Sequence, residues 1–105
     1  MKNLEETIFF IIAHSGEAKS CIMEAIELAK QNNSLEAHKK LEESVQYKQL
    51  AHAKHFELIQ QEASGEQTPI SLLLIHAEDQ LMSIETLQLL AKEFINLYAL
   101  VHSKI

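Results

Sequence analysis

Apolar side chains recur along this chain in three stretches of about 30 residues, separated by two polar breaks. In the first, Leu4, Ile8, Ile11, Ile12, Ile22, Ala25, Ile26 and Ala29 fall at helical spacing and predict a helix over about 3–31. Its middle, Ala13 to Ala18, is mostly small residues and reads as a close approach to a neighbouring helix or a kink at Gly16. The second stretch, about 35–64, is more polar. Leu41, Val45, Leu50 or Ala51, Ala53, Leu58 and Ile59 form a narrow stripe on a charged rod, as expected of an outer helix.

The third stretch, about 69–104, is different in kind. From Leu72 to Ala77 only His76 is polar, and apolar residues occupy every side of the helical wheel. A helix that is hydrophobic all round requires cover all round. Two partner helices do not supply it, so other copies of the chain should, in an oligomer built on this helix.

The breaks carry turn and cap chemistry. At Gln31-Asn32-Asn33-Ser34, Asn33 and Glu36 have the spacing of a capping box. At Ser64-Gly65-Glu66-Gln67-Thr68-Pro69, Gly65 suits the left-handed residue that closes a helix. Thr68 suits an N-cap there and Pro69 the first helical position. The expectation is an all-α protein, one domain over 1–105, made of three long antiparallel helices in an up-down bundle.

Composition narrows the function. Two glycines and one proline in 105 residues leave little chain for loops. A formal charge of −6, with nine lysines and no arginine, argues against a nucleic-acid partner, whose phosphates need clustered cations, and against an anionic membrane surface. Lacking the guanidinium fork, a phosphate site here would hold its ligand loosely. The single cysteine, Cys21, excludes an internal disulfide and fits a reducing, cytoplasmic compartment. Its apolar neighbours Ile22, Ala25 and Ile26 suggest a buried, inert thiol. No apolar run approaches the roughly 20 residues needed to cross a bilayer.

Candidate chemistry gathers in LLLIHAEDQLM, residues 72–82, which holds Asp79, the only aspartate beside fourteen glutamates. At about 100° per residue, Asp79 and Gln80 flank His76 on one helix face, while Glu78 projects about 200° away. Two readings stand. Either His76, Asp79 and Gln80 form a solvated stripe, or they face an interior among Leu72, Leu73, Leu81 and Met82. A carboxylate in such an interior needs a partner. Copies of Asp79 meeting on a rotation axis would make an oxygen cage for a hard divalent ion. His52 and His55, three residues apart, could chelate a transition metal, as in a metal-storage or redox bundle. Glu-x-x-His pairs of ferritin-like bundles are absent. His14, His38 and His102 read as surface or structural.

Nearly the whole chain resembles the IIA component of the lactose/cellobiose class of the bacterial sugar phosphotransferase system (PTS). Ile11-Ile12-Ala13-His14-Ser15-Gly16-Glu17-Ala18-Lys19-Ser20 is similar to the family's I-x-A-x-A-G-x-A-[RK]-S. Ala51-His52 and Glu62-Ala63-Ser64-Gly65 are similar to its AH…EASG helix. His76-Ala77-Glu78-Asp79-Gln80-Leu81-Met82 is similar to H-[AG]-Q-D-H-L-M, and Glu93, Leu97 and Tyr98 to its ending. The resemblance implies a nine-helix homotrimer in which His76 accepts a phosphoryl group, on Nε2, from the phosphocarrier protein HPr. His76 would pass it to a cysteine of the IIB component for uptake of a β-glucoside or galactoside such as cellobiose or lactose. Asp79 would then bind a divalent cation, Mg2+, on the trimer axis. Three positions near the site depart from the pattern. Glu78 and Gln80 stand where the family has Gln and His, and His55 stands where its second helix has Gln. An exchange between helices would place His55 opposite Gln80 beside His76, with His52 nearby. Glu78 adds charge near the phosphoryl group, leaving a non-transferring structural or regulatory module of the same fold as the alternative.

Overall fold

The computed structural model describes residues 3–104. Among them there are three helices and no strand: α1 (Leu4–Lys30), α2 (Ser34–Ala63) and α3 (Leu72–Ser103). They form a rod with extents of 58 × 20 × 19 Å. Core contacts fix the directions. At one end Ile8 and Ile11 of α1 meet Ala51 and Leu58 of α2 and Ala77 and Leu81 of α3. At the other, Ala25 and Ala29 meet Ala37 and Ile95. Hence α2 runs antiparallel to both α1 and α3, the up-down bundle expected.

The α1 face behaves as its spacing predicts, with Ile8, Ile11, Ile22, Ala25 and Ala29 buried. Gly16 does not. It lies on the exposed side, and a Cβ there would meet nothing within 4 Å; it makes no close approach within the chain. Ser15 and Ala18 are the small residues that are buried. On α2 the buried positions are Ala37, Ser44, Ala51 and Leu58, a seven-residue repeat, whereas Leu50, Ala53 and Ile59 of the expected stripe are exposed. Ser44 fills its place by accepting a 3.2 Å hydrogen bond from Gln88 of α3.

The helix ends follow one rule twice. Gly65 (φ 99°) and Asn32 (φ 61°) both take the left-handed conformation. Each is followed by an amide that reaches back five residues, Glu66 to Gln61 at 3.0 Å and Asn33 to Leu28 at 2.9 Å. Helix starts depart from expectation. Asn33 is the N-cap of α2 but its side chain makes no capping bond, so the box with Glu36 does not form. α3 begins three residues later than Thr68 and Pro69 suggested. Ser71 is its N-cap, accepting from the Leu74 amide at 3.1 Å. Ser71 holds the extended backbone a cap requires (φ −140°, ψ 164°), so Pro69 lies in the loop.

Candidate functional site

His76 and Asp79 both stand exposed on α3, beside buried Ala77. With Leu72, Leu73 and Ile75 they line an open hollow of about 770 Å³. The face around them is apolar and uncovered: Leu72 is 83% exposed, Met82 58%, Leu89 70% and Leu97 52%. Taking Asp79 as the origin and about 100° per residue, this face spans roughly −80° (Leu89) to +60° (His76, Phe94). Asp79 and Leu97 share its midline, and His76 stands on one rim. The interior expected around these two residues is therefore not supplied by α1 and α2.

Gln80, at about +100°, is half-buried on the α1 side of α3. Glu78 lies at about −100° and meets α2. The expected pairing of His55 with Gln80 is corrected here: the His55 Nε2–H donates to the Glu78 carboxylate, with both oxygens at 2.7 Å. The reason is angular. Glu78 and Gln80 differ by about 200°, and only the flank carrying Glu78 faces α2. Within the subunit His76 and Glu78 are about 160° apart, so the His55–Glu78 pair does not stand beside its own His76. The departure that looked least compatible with a phosphoryl site is thus paired, by a histidine in another non-matching position. The His55 side chain is only 12% exposed, so the clasp fixes α2 against α3 at this level.

His52 is exposed on α2, its ring centroid 6.5 Å from that of His55. Among the described residues no three His, Cys, Asp or Glu side chains come together as a metal site. His55 is engaged by Glu78 through Nε2, and the His52/His55 pair gathers no third ligand among the described residues. His14 is structural: its Nδ1–H donates to the Phe10 carbonyl at 2.9 Å and its ring stacks on Phe10. His102 closes the far end of the rod, donating from Nε2 to the Lys30 carbonyl at 3.0 Å. Cys21 is buried, and burial pushes its thiol above the usual range, with Glu43 adding to the rise. Lys40 bridges Glu24 of α1 at 3.0 Å and Glu43 at 3.3 Å; these bonds, Glu24 first, raise its ammonium well above the lysine range. No described helix is long and apolar enough to cross a membrane.

Comparison with known proteins bears on this arrangement. Residues 6–99 match the family described as "PTS system, Lactose/Cellobiose specific IIA subunit". The chain is 44% identical over 97 residues to the lichenan-specific phosphotransferase enzyme IIA component of Bacillus subtilis, covering 92% of this chain and 88% of that one. It is 42% identical over 94 residues to the oligo-beta-mannoside-specific EIIA component of the same organism, covering 90% and 86%. The crystal structure of the cellobiose-specific enzyme IIA of Bacillus anthracis superposes with a TM-score of 0.96 at 44% identity, covering 100% and 96%. With three helices in the same arrangement and the family match running through all of them, the chain belongs to the lactose/cellobiose-specific IIA family of the sugar phosphotransferase system.

Proposed function

We propose that this IIA component is the phosphohistidine carrier of its system, with His76 as the carrier residue. The observation that supports the reading best is the exposure of His76 on a rigid helix, in an open hollow beside Asp79. An unprotonated imidazole nitrogen of His76 would attack phosphorus in line as the nitrogen–phosphorus bond of phospho-HPr breaks. A cysteine thiolate of the IIB component would then attack the same phosphorus, and His76 would leave. Such transfer depends on positioning and charge stabilisation. The helical mounting of His76 would supply the positioning, while the absence of arginine would leave the group loosely held, as a relay requires. The family description and the relatives named for lichenan and cellobiose support uptake of a β-glucoside or galactoside such as cellobiose or lactose.

The uncovered face of α3 supports a homotrimer in which three copies of α3 meet. Asp79, on the midline of that face, would then bring three carboxylates to the axis. One chain offers one such oxygen donor, so a cation there needs all three chains. An all-oxygen set suits a hard ion such as Mg2+, which when bound would offset the repulsion between the carboxylates. The test is labelling with phosphorylated HPr. It should give an acid-labile, base-stable phosphoryl group in the wild type and none in His76→Ala. An unlabelled wild type would leave a structural or regulatory module instead.

A further inference from the structure

A ring of three parallel α3 helices has a directional consequence. Each helix turns its midline to the axis, so rotation symmetry sets the positive flank of one helix against the negative flank of the next. His76 lies on the positive flank at about +60°, and Glu78 on the negative flank at about −100°, two residues or about 3 Å further along the helix. Within one subunit these residues diverge; across the interface they converge within about 3 Å of the same height. We infer that the second wall of the phosphoryl site at His76 is the His55–Glu78 pair of the neighbouring subunit. This inference rests on the trimeric carrier proposed above.

Two further features support the neighbour as occupant of this flank. The groove between α2 and α3, about 580 Å³ and lined by Val45, Glu85 and Leu89 among others, opens on the same negative side. Next to it on α2, Phe56 and Ile59 are 51% and 48% exposed. They stand with His52 about 40° to 100° around from His55. At the height of Phe56 and Ile59 the positive flank of the neighbouring α3 carries Leu72, which is itself exposed and offers apolar cover.

Across that interface the Glu78 carboxylate repels a phosphoryl group on the adjoining His76, while the His55 N–H bound to Glu78 limits the repulsion. The pair acts as a positioning and tuning element, setting how long the phosphoryl group stays, and His76 keeps the chemistry. Glu78→Gln should therefore lengthen the lifetime of phosphohistidine by about twofold to fivefold, the size of a half-exposed charge pair.

Mixed assemblies test where Glu78 acts. A Glu78→Gln chain, keeping His76, is co-assembled with an excess of a His76→Ala chain, keeping Glu78. Decay at the wild-type rate is expected, because the labelled His76 now adjoins a neighbour's Glu78. Conversely, a wild-type chain surrounded by the His76→Ala, Glu78→Gln double variant should decay slowly. Decay that follows each chain's own residue 78, or no change in the uniform Glu78→Gln protein, overturns the inference and leaves the trimer standing. A native mass of one chain would overturn both readings.

Discussion

Asp79 stands on the midline of a leucine-rich face, and no described residue of its own chain pairs with its charge. In a trimer that carboxylate is desolvated beside two like charges, a cost met only by a cation or by protonation. Replacing such a group by a hydrophobic residue of similar volume is often neutral or stabilising by about 1–4 kcal/mol. Asp79→Leu should therefore raise the melting temperature measured in chelator and remove any increase on adding Mg2+. A variant that melts lower than wild type in chelator would mean that Asp79 does not meet its copies. Cys21 makes the complementary case, a group whose environment keeps it neutral. Its thiol pKa is raised by burial in the folded chain, above the ordinary value of 9.0. The associated stability is fully present below about pH 9 and is lost as pH rises from there through the folded value, because only the unfolded chain then releases the proton. Urea titrations at pH 8 and pH 10 should show stability falling in the wild type and a flatter profile in Cys21→Ala. Equal slopes would assign the alkaline loss to other groups.

Among the helices, the ends separate what the sequence could convey from what it could not. The two left-handed stops were visible as polar breaks, and Gly65 as the residue able to take φ 99°. The start of α3 was not, because Thr68 and Ser71 have equivalent capping chemistry and Pro69 favoured the earlier one. The structure distinguishes them. Ser71 Oγ accepts from the Leu74 amide, whereas Thr68 Oγ1 is buried with no partner. Ser71→Ala should cost about 1 kcal/mol, the usual worth of a cap. That is about 4–8 °C in a domain of this size. Thr68→Val should be neutral or slightly stabilising, since it removes an unsatisfied hydroxyl. Thermal melts of the two variants check this, and the reverse order would restore the sequence-based start. The same limit explains the His55 correction. Periodicity placed the departures from the family pattern on helices facing each other, but it could not say which flank of α3 turns toward α2. Only the packing angle distinguishes Glu78 from Gln80 as the partner. His76 and Asp79 were singled out by both the apolar run and the motif, and the structure places the two in one hollow.

For the whole molecule, exposure within one chain does not distinguish an interface from ordinary surface, and two leucines make this concrete. Leu35, at the start of α2, is 69% exposed, and Leu89 of α3 is 70% exposed. Physics confined to the single chain gives a glutamate the same small cost at either site. Their neighbourhoods differ. Leu35 precedes Glu36 and has no continuing apolar stripe. Leu89 belongs to a face that continues through Leu72, Met82, Leu97 and Leu100, a patch of the kind that monomeric proteins rarely leave bare. In the proposed trimer, three carboxylates buried at Leu89 without a cation would set an uncompensated charge against the contact between copies. Leu89→Glu should therefore reduce the native mass from three chains to one at micromolar concentration, while Leu35→Glu leaves it unchanged. Both variants should keep the helical content of the wild type, because neither side chain is in the core of the bundle. Light scattering on the pair decides the matter. If both variants keep the wild-type mass, α3 is not the seam, and Asp79 loses the copies it needs to form a cation site.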